Sequence, residues 1–396
     1  MPIINRIAEF HPEMTAWRRD LHQHPEIGYE EVRTSGVIAE KLREFGCDAV
    51  ETGIAKTGVV ATIRGAGAGA GGEGRAIGLR ADIDALPINE ETGLPHASRN
   101  PGRMHACGHD GHTAMLLGAA KYLAETRNFS GAVHLIFQPA EENGGGGRVM
   151  VEEGLFKRFP VQRVFGLHNW PGAPEGQFIW REGPIMAAVA NIEIRVTGKG
   201  AHGAMPHQGN DPVVIASHIV TALQSVVARN VEPAEAGVIT IGSIQGGNTF
   251  NVIPETVRML GTARWFAPEV GDILERKLRE IATGVAAAFG ATATAEFKRL
   301  YPATVNEAES TRLTLDAARA VVGEARVQHM PRPTMGGEDF SFMLEAQEGS
   351  YIMLGAGRGP DDPQVHHPRY DFNDDILPVG ASYWATLVEQ LLPRRG

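Results

Sequence analysis

The chain is short of cysteine and of surplus basic charge, and each shortage closes off a class of function. Only two cysteines occur in 396 residues, Cys47 and Cys107. That is too few for a disulfide framework, and a reducing compartment would leave both as thiols. Acidic side chains outnumber basic ones, 47 to 37, for a formal charge of -10. With no dense Lys/Arg run there is no footprint for a phosphate backbone, so nucleic acid is not an expected partner. The opening MPIINRIAEFHPEMTAWRRDLHQHPE breaks up its apolar positions with charges and reads neither as a signal peptide nor as an anchor. The expectation is a cytoplasmic protein with no membrane partner.

Apolar material, at 43% of residues, is ample, and the length exceeds what one core usually supports, so two domains are expected. A helical stretch over about residues 4–23 leads to a second, Glu30 to Phe45, with Val37, Ile38, Leu42 and Phe45 at helical spacing. Short β-rich runs follow at Thr57 to Ile63 and Ala76 to Ile83, joined by the glycine-alanine segment Gly65 to Gly74. A phosphate cradle there would need a helix N-terminus where a strand follows, so the segment reads as a connector. Thr113 to Glu125 reads as a helix, Ala132 to Phe137 as a strand, Gly147 to Glu153 as a short helix and Val164 to His168 as a strand. This alternation predicts an α/β domain with a mostly parallel sheet flanked by helices, its catalytic residues gathered at strand ends.

Beyond Pro184 the order becomes strand 190–197, helix 211–228, strands 236–245 and 253–265, helix 268–289 and strand 291–299. That β-α-β-β-α-β order closes as an antiparallel sheet covered by two helices. It marks residues 187–301 as an inserted α+β domain. The catalytic domain is then discontinuous, 1–186 and 302–396, completed by Arg312 to Val322, Tyr351 to Leu354 and Val379 to Leu392.

The chemistry concentrates in a few places. Met104-His105-Ala106-Cys107-Gly108-His109-Asp110-Gly111-His112 packs four ligand-type side chains between a loop and a helix. A thiolate and an imidazole two residues apart on irregular backbone can converge on one borderline-soft cation, and glycines at 108 and 111 permit the tight path. A lone cysteine is usually a small hydrophobe; the cluster favours a metal site, with His105 and His112 better suited to support or packing. Gln138-Pro139-Ala140-Glu141-Glu142 sets paired carboxylates at the end of an apolar strand. One can bind metal while the other serves a bound water as general base. His168 closes another strand, and Asp82 and Asp84 end a further one, where they can orient an imidazole or cap a loop. Val365-His366-His367-Pro368 offers two more histidines, and the loop 198–207 presents His202 and His207. Asn251 and Arg264 pair an amide with a guanidinium suited to a carboxylate, although Arg264 could equally serve a surface salt bridge.

With MHACGHDGH, FQPAEE, GLHNWP, GKGAHGAMPH, GGNTFNVIP, MGGEDFS and VHHPRYDFND in this order, nearly the whole chain resembles the aminoacylase, hippurate hydrolase and auxin-conjugate amidohydrolase group. That group belongs with the di-metal aminopeptidase and carboxypeptidase G-type metallopeptidases. The resemblance implies two divalent metals per subunit, held by Cys107, His109, Glu142, His168 and His366. Cys107 would bridge, His109 and His168 would complete one site, and Glu142 and His366 the other. It makes Glu141 the general base and Asp82 a support of the metal site. It also makes His202 an oxyanion donor reaching a partner subunit, and sets Asn251 and Arg264 near the substrate carboxylate. Gly337 stands where serine is frequent in the group, a change expected to alter the pocket wall more than the chemistry. Assembly through the insert into a homodimer or homotetramer is implied too.

The expected reaction is hydrolysis of N-acyl amino acids by metal-activated water, with zinc, manganese, nickel or cobalt all compatible with the N/O/S donor set. A metallo-carboxypeptidase or dipeptidase on the same fold is the nearest alternative. A cysteine amidase using Cys107, or a non-catalytic metal- or amino-acid-binding protein, would leave Glu142, His168 and His366, or Glu141, without a role.

Overall fold

The computed structural model describes residues 3–66, 74–142 and 144–394, so most of the glycine-alanine connector lies outside the described residues. Helices α1 (His11–Gln23) and α2 (Val32–Glu44) precede strands β1 (Ala49–Ile54), β2 (Gly58–Arg64) and β3 (Ala76–Asp82). Helix α3 (His109–Thr126), strand β4 (Ala132–Gln138), helix α4 (Gly146–Glu152) and strands β5 (Arg163–Pro174) and β6 (Phe178–Trp180) follow. Then come β7 (Ala188–Thr197), α5 (Pro212–Asn230), β8 (Gly237–Gln245), β9 (Thr256–Trp265), α6 (Pro268–Ala288) and β10 (Thr292–Tyr301). The chain closes with α7 (Ala308–Val322), β11 (Val327–His329), β12 (Gly349–Gly357) and α8 (Leu377–Leu391). Two compact units result: Met1–Ile185 with Thr304–Pro333 and Glu338–Gly396, and Met186–Ala303 with Thr334–Gly337.

The first unit is built on an eight-stranded sheet in the order β1-β2-β4-β3-β5-β12-β6-β11. Its centre, β4-β3-β5-β12, is parallel, and antiparallel pairs occur on either side. Every residue of β3 is buried, as expected for a central strand covered on both faces, whose sequence is a continuous apolar run rather than an alternation. Strand β1 leaves no periodic signal, because Glu51, Thr52 and Gly53 are exposed along the edge and no alternation survives there. Parallel registration pairs Asp82 at the end of β3 with Gln138 at the end of β4. The residues that follow both strands therefore emerge side by side.

Helix α3 starts at His109, one turn before the expected Thr113. Gly108 takes φ 93 and turns the chain straight into the helix, a conformation that disfavours any residue with a Cβ. At Gly111 the reason is space, since a Cβ would lie 2.2 Å from the Phe372 ring. His109 and His112 are thus neighbours in one helical turn rather than members of an irregular loop.

The second unit has a four-stranded antiparallel sheet, β8-β9-β7-β10. Along β7, Ile192, Ile194 and Val196 are buried and alternate with more exposed Asn191, Glu193, Arg195 and Thr197, the period of a half-covered sheet. Ile215, Ile219, Leu223 and Val226 of α5 and Leu274 and Leu278 of α6 recur at helical spacing and share a core with those strand residues. Asp211 caps α5 by accepting Val213 N–H at 2.9 Å, with Pro212 in the first turn. By length and composition alone α5 could cross a membrane, but its most apolar stripe is spent on this core.

Candidate active site

Five segments of the first unit bring the chemistry together: the end of β3, the start of α3, the turn after β4, strand β5 and the loop 365–371. Ala140, just past β4, adopts φ 53 and His366 φ 67, both in the left-handed region. The turn at Ala140 is held by its N–H, which donates to Glu31 Oε1 at 2.9 Å. Non-glycine residues persist there only where their surroundings over-determine them; past Ala140, Glu141 groups with Glu338 and Asp339, and Glu142 with Cys107 and His366.

Cys107 Sγ lies 3.4 Å from His168 Nε2, and Glu142 Oε1 lies 3.2 Å from His366 Nε2 and 3.9 Å from His109 Nε2. Donor atoms of Cys107, Glu142 and His366 fall within 4.8 Å of one another, as do those of His109, Glu141 and Glu142. All five expected ligands and Glu141 therefore meet. It is His366 that faces Glu142; His367 instead accepts Arg369 N–H at its Nδ1, 3.1 Å away, in an exposed position.

His168 and His109 are each oriented from behind. His168 Nδ1 is 2.7 Å from Asn169 O, which leaves Nε2 as the lone-pair face. His109 Nδ1 is 3.2 Å from Asp84 Oδ1. Asp84 Oδ2 also accepts the Glu142 N–H at 3.1 Å. Asp82 instead engages His112, whose Nδ1 is 2.6 Å away, and Arg80 at 2.8 Å. Both His112 nitrogens are occupied, since Nε2 contacts Asn169, so His112 supports the site rather than ligating. His105 is buried with neither ring nitrogen hydrogen-bonded, and burial pushes it down to about 4.

The donor set fits a divalent cation on its own evidence. Among the described residues His109 Nε2 and Glu142 Oε1 are buried without a hydrogen-bond partner, and each such atom costs about 1–3 kcal/mol, a cost that a bound cation removes. Burial, then Glu338 and Glu142, pushes Glu141 well above the usual carboxylate range. Burial, then Glu142 and Glu141, raises the Cys107 thiol. At His109 burial opposes the charge, but Asp82 and Asp84 override it and raise the imidazole to about 10. Burial and His112 push His168 well down, the neutral state that ligation needs. The site thus carries more negative charge than its own cations offset.

Sequence reasoning gave no role to Glu338 and Asp339 of MGGEDFS. Both are buried, and their carboxylates fall within 4.8 Å of Glu141 and of each other. Arg80, wholly buried, ties them down: Nη2 donates to Glu338 at 2.8 Å and Asp339 at 3.2 Å, Nη1 to Asp82 and Nε to Gln138 at 2.8 Å. Tyr351 O–H donates to Glu338 as well. An arginine in an apolar strand was the available signal, because a buried guanidinium requires acids around it.

In the second unit, His202 pairs in register with Val252, and Gly203 N–H donates to Asn251 O at 2.7 Å, which makes His202 and Asn251 neighbours. Both side chains are exposed, as is His207. Arg264 is half-buried on β9, its Nη1 donating to Ala263 O at 2.9 Å and to Thr262. Among the described residues no carboxylate lies within ion-pair distance of it, so the surface salt bridge considered for it is absent. Gly337 belongs to this unit, and a Cβ there would lie 2.3 Å from Val189; the absence of serine follows from packing.

The sequence model of Peptidase family M20/M25/M40 matches residues 78–390. The chain is 39% identical over 392 residues to a hippurate hydrolase of Campylobacter jejuni, covering 99% of this chain and 100% of that protein. It is 41% identical over 380 residues to an N-acetyl-L-cysteine deacetylase of Bacillus subtilis, covering 96% and 88%. Among solved structures, a dinuclear metal-binding peptidase from the M20 family of Bacillus subtilis superposes with a TM-score of 0.82 at 35% identity, covering 98% and 100%. A match running from the third strand into the last helix, with the metal-type cluster inside it, leaves one assignment: the chain belongs to Peptidase family M20/M25/M40.

Proposed function

We propose that this M20-family amidohydrolase cleaves the amide bond of N-acyl amino acids, with Glu141 as its general base. The observation that carries the reading is the convergence of Cys107, His109, Glu142, His168 and His366 beside Glu141, with His109 Nε2 and Glu142 Oε1 buried and unsatisfied. The substrate class is supported by relatives named for hippurate and N-acetyl-L-cysteine, both N-acylated amino acids.

His109 and His168 would hold one divalent ion, Glu142 and His366 a second, and Cys107 both, with zinc, manganese, nickel and cobalt each suited to these donors. Such ions, when bound, acidify water and polarise a carbonyl. Glu141 then receives the water proton and returns it to the departing amino nitrogen, a shuttle for which its raised proton affinity is suited. His202 as oxyanion donor, and Asn251 and Arg264 as carboxylate contacts, are proposed on the resemblance, and the role of Arg264 is supported by the lack of any carboxylate at ion-pair distance among the described residues.

The test is a panel of acetyl, benzoyl and indoleacetyl amino acids and dipeptides on protein loaded separately with each metal. Hydrolysis of acyl amino acids that chelation abolishes and metal restores is expected; a preference for dipeptides would make the enzyme a dipeptidase. A cysteine amidase is disfavoured because burial, then the carboxylates around it, raises the Cys107 thiol, the opposite of nucleophile activation.

We also propose that a second copy covers the outer face of α5. Between Asp211 and Arg229 the helix carries no Asp, Glu, Lys or Arg, and Val213 and Val214 are exposed. Beside it β8 is an edge strand with Ile244 half exposed. A neutral helix face next to an open edge is self-complementary, as a two-fold contact requires.

A further inference from the structure

A buried arginine distant from the metal-type residues in sequence ties two of their segments together. Arg18 on α1 and Asp110 have no exposed side-chain surface. Arg18 Nε donates to Asp110 Oδ2 at 2.9 Å and Nη2 donates to Asp371 Oδ1 at 2.7 Å, while Nη1 lies 3.5 Å from Asp374. Asp110 directly follows His109, and Asp371 ends the loop that carries His366. The same two carboxylates are braced again, by His22 Nδ1 at 2.8 Å from Asp110 and His96 Nε2 at 2.9 Å from Asp371. Tyr370, next to Asp371, accepts a hydrogen bond from Asn169 Nδ2 at 2.8 Å, and Asn169 adjoins His168.

His366 needs such a hold, being half exposed and in the left-handed region. One backbone bond, His366 N to Ala106 O at 2.7 Å, attaches it to the segment bearing Cys107. The loop is held further by Pro368 O, which accepts the Glu91 N–H at 2.8 Å, and by the Asn169–Tyr370 and His96–Asp371 contacts. Among these the guanidinium joins Asp110 directly to Asp371, and its planar fork fixes direction as well as distance.

We propose that Arg18 is a positioning residue of the metal centre, setting the spacing between the Cys107–His109 segment and the His366 loop before any ion arrives. The inference rests on the metal-dependent reading above. It gives a role to a residue that precedes the family match, which begins at residue 78.

The test titrates metal-free R18Q, R18K and D371N with cobalt against a chromophoric chelator, with thermal melts of the same samples. D371N leaves Arg18 paired with Asp110 and Asp374, so it reports even if R18Q does not fold. In folded R18Q and D371N the weaker-bound ion should lose about tenfold or more in affinity, with R18K recovering only part because an ammonium lacks the fork. The cobalt ligand-field bands should change while the thiolate charge-transfer band from Cys107 persists. Affinity within about twofold of the unmodified protein, whatever the change in melting temperature, overturns the proposal and leaves the hydrolase reading standing. If the unmodified protein binds no divalent ion, that reading falls and this one with it.

Discussion

Removing the Asp84 carboxylate should weaken metal binding more than it weakens the fold. One oxygen of Asp84 stands 3.2 Å from His109 Nδ1 and the other accepts the Glu142 backbone N–H at 3.1 Å. A single carboxylate therefore orients two proposed ligands, one on α3 and one in the turn after β4. Loss of a carboxylate behind a ligating imidazole typically costs about 10–100-fold in metal affinity, or about 1.4–2.7 kcal/mol. Asp84→Asn keeps one acceptor oxygen, which can serve His109 or the Glu142 amide but not both, so its loss should sit near the tenfold end. Asp84→Ala removes both contacts and should approach the hundredfold end. The ordering of the two variants, about tenfold apart, is the signal to read by chelator competition on metal-free protein. Equal affinities for both variants and the unmodified protein would refute the reasoning. A drop in metal-free stability as large as the drop in binding would show that Asp84 serves the fold instead.

Other consequences can be measured separately. Glu141→Gln should keep its metal content yet lose about 10²–10⁴-fold in kcat; near-normal turnover with intact metal would remove Glu141 from the base role. Because Asp82 and Asp84 overcome burial and raise His109 from 6.5 to about 10 in the metal-free protein, its protonated form stabilises that fold fully below pH 6.5. This contribution disappears as pH rises toward 10, so metal-free melting temperature should fall over that window. For the same reason metal binding at pH 7.5 should release protons, seen as a dependence of calorimetric heats on buffer ionisation enthalpy; identical heats in phosphate and Tris would contradict it. Val214→Lys on α5 should shift the protein to monomer in light scattering without lowering its melting temperature, and an unchanged assembly would exclude that face as the contact.

The second unit was the most legible part of the sequence. Ile192, Ile194 and Val196 alternate and Ile215, Ile219 and Leu223 recur every four residues, so strand and helix periods could be told apart directly. His168 ends an apolar run but not its strand, since β5 continues to Pro174; the positions of Asp82 at the end of β3 and of Glu141 and Glu142 just past β4 were readable. The start of α3 was not, because His109, Asp110 and Gly111 carry no apolar period; the helix begins there through the backbone of Gly108 and the packing of Phe372. Arg18 was invisible for a different reason. A charged residue in a helix reads as exposed, and only the convergence of Asp110 and Asp371 shows that it is buried. Arg80, within an apolar strand, was readable, but the convergence of Asp82, Glu338 and Asp339 on it was not.

That convergence explains why so acidic an interior forms at all. Asp82, Asp84, Glu141, Glu338 and Asp339 share one buried region with Arg80 as its fixed guanidinium. At Asp82 burial is opposed by His109, His112 and Arg80, which together hold its carboxyl well below the usual range. Asp339 goes the other way, because burial and Glu338 outweigh Arg80 and raise it. The proton affinities of neighbouring acids are thus driven in opposite directions, as expected when charge exceeds the local supply of partners. A divalent ion beside Glu142 would lower those that are raised, Glu141 included, so metal loading and the proton affinity of the proposed base are one linked equilibrium.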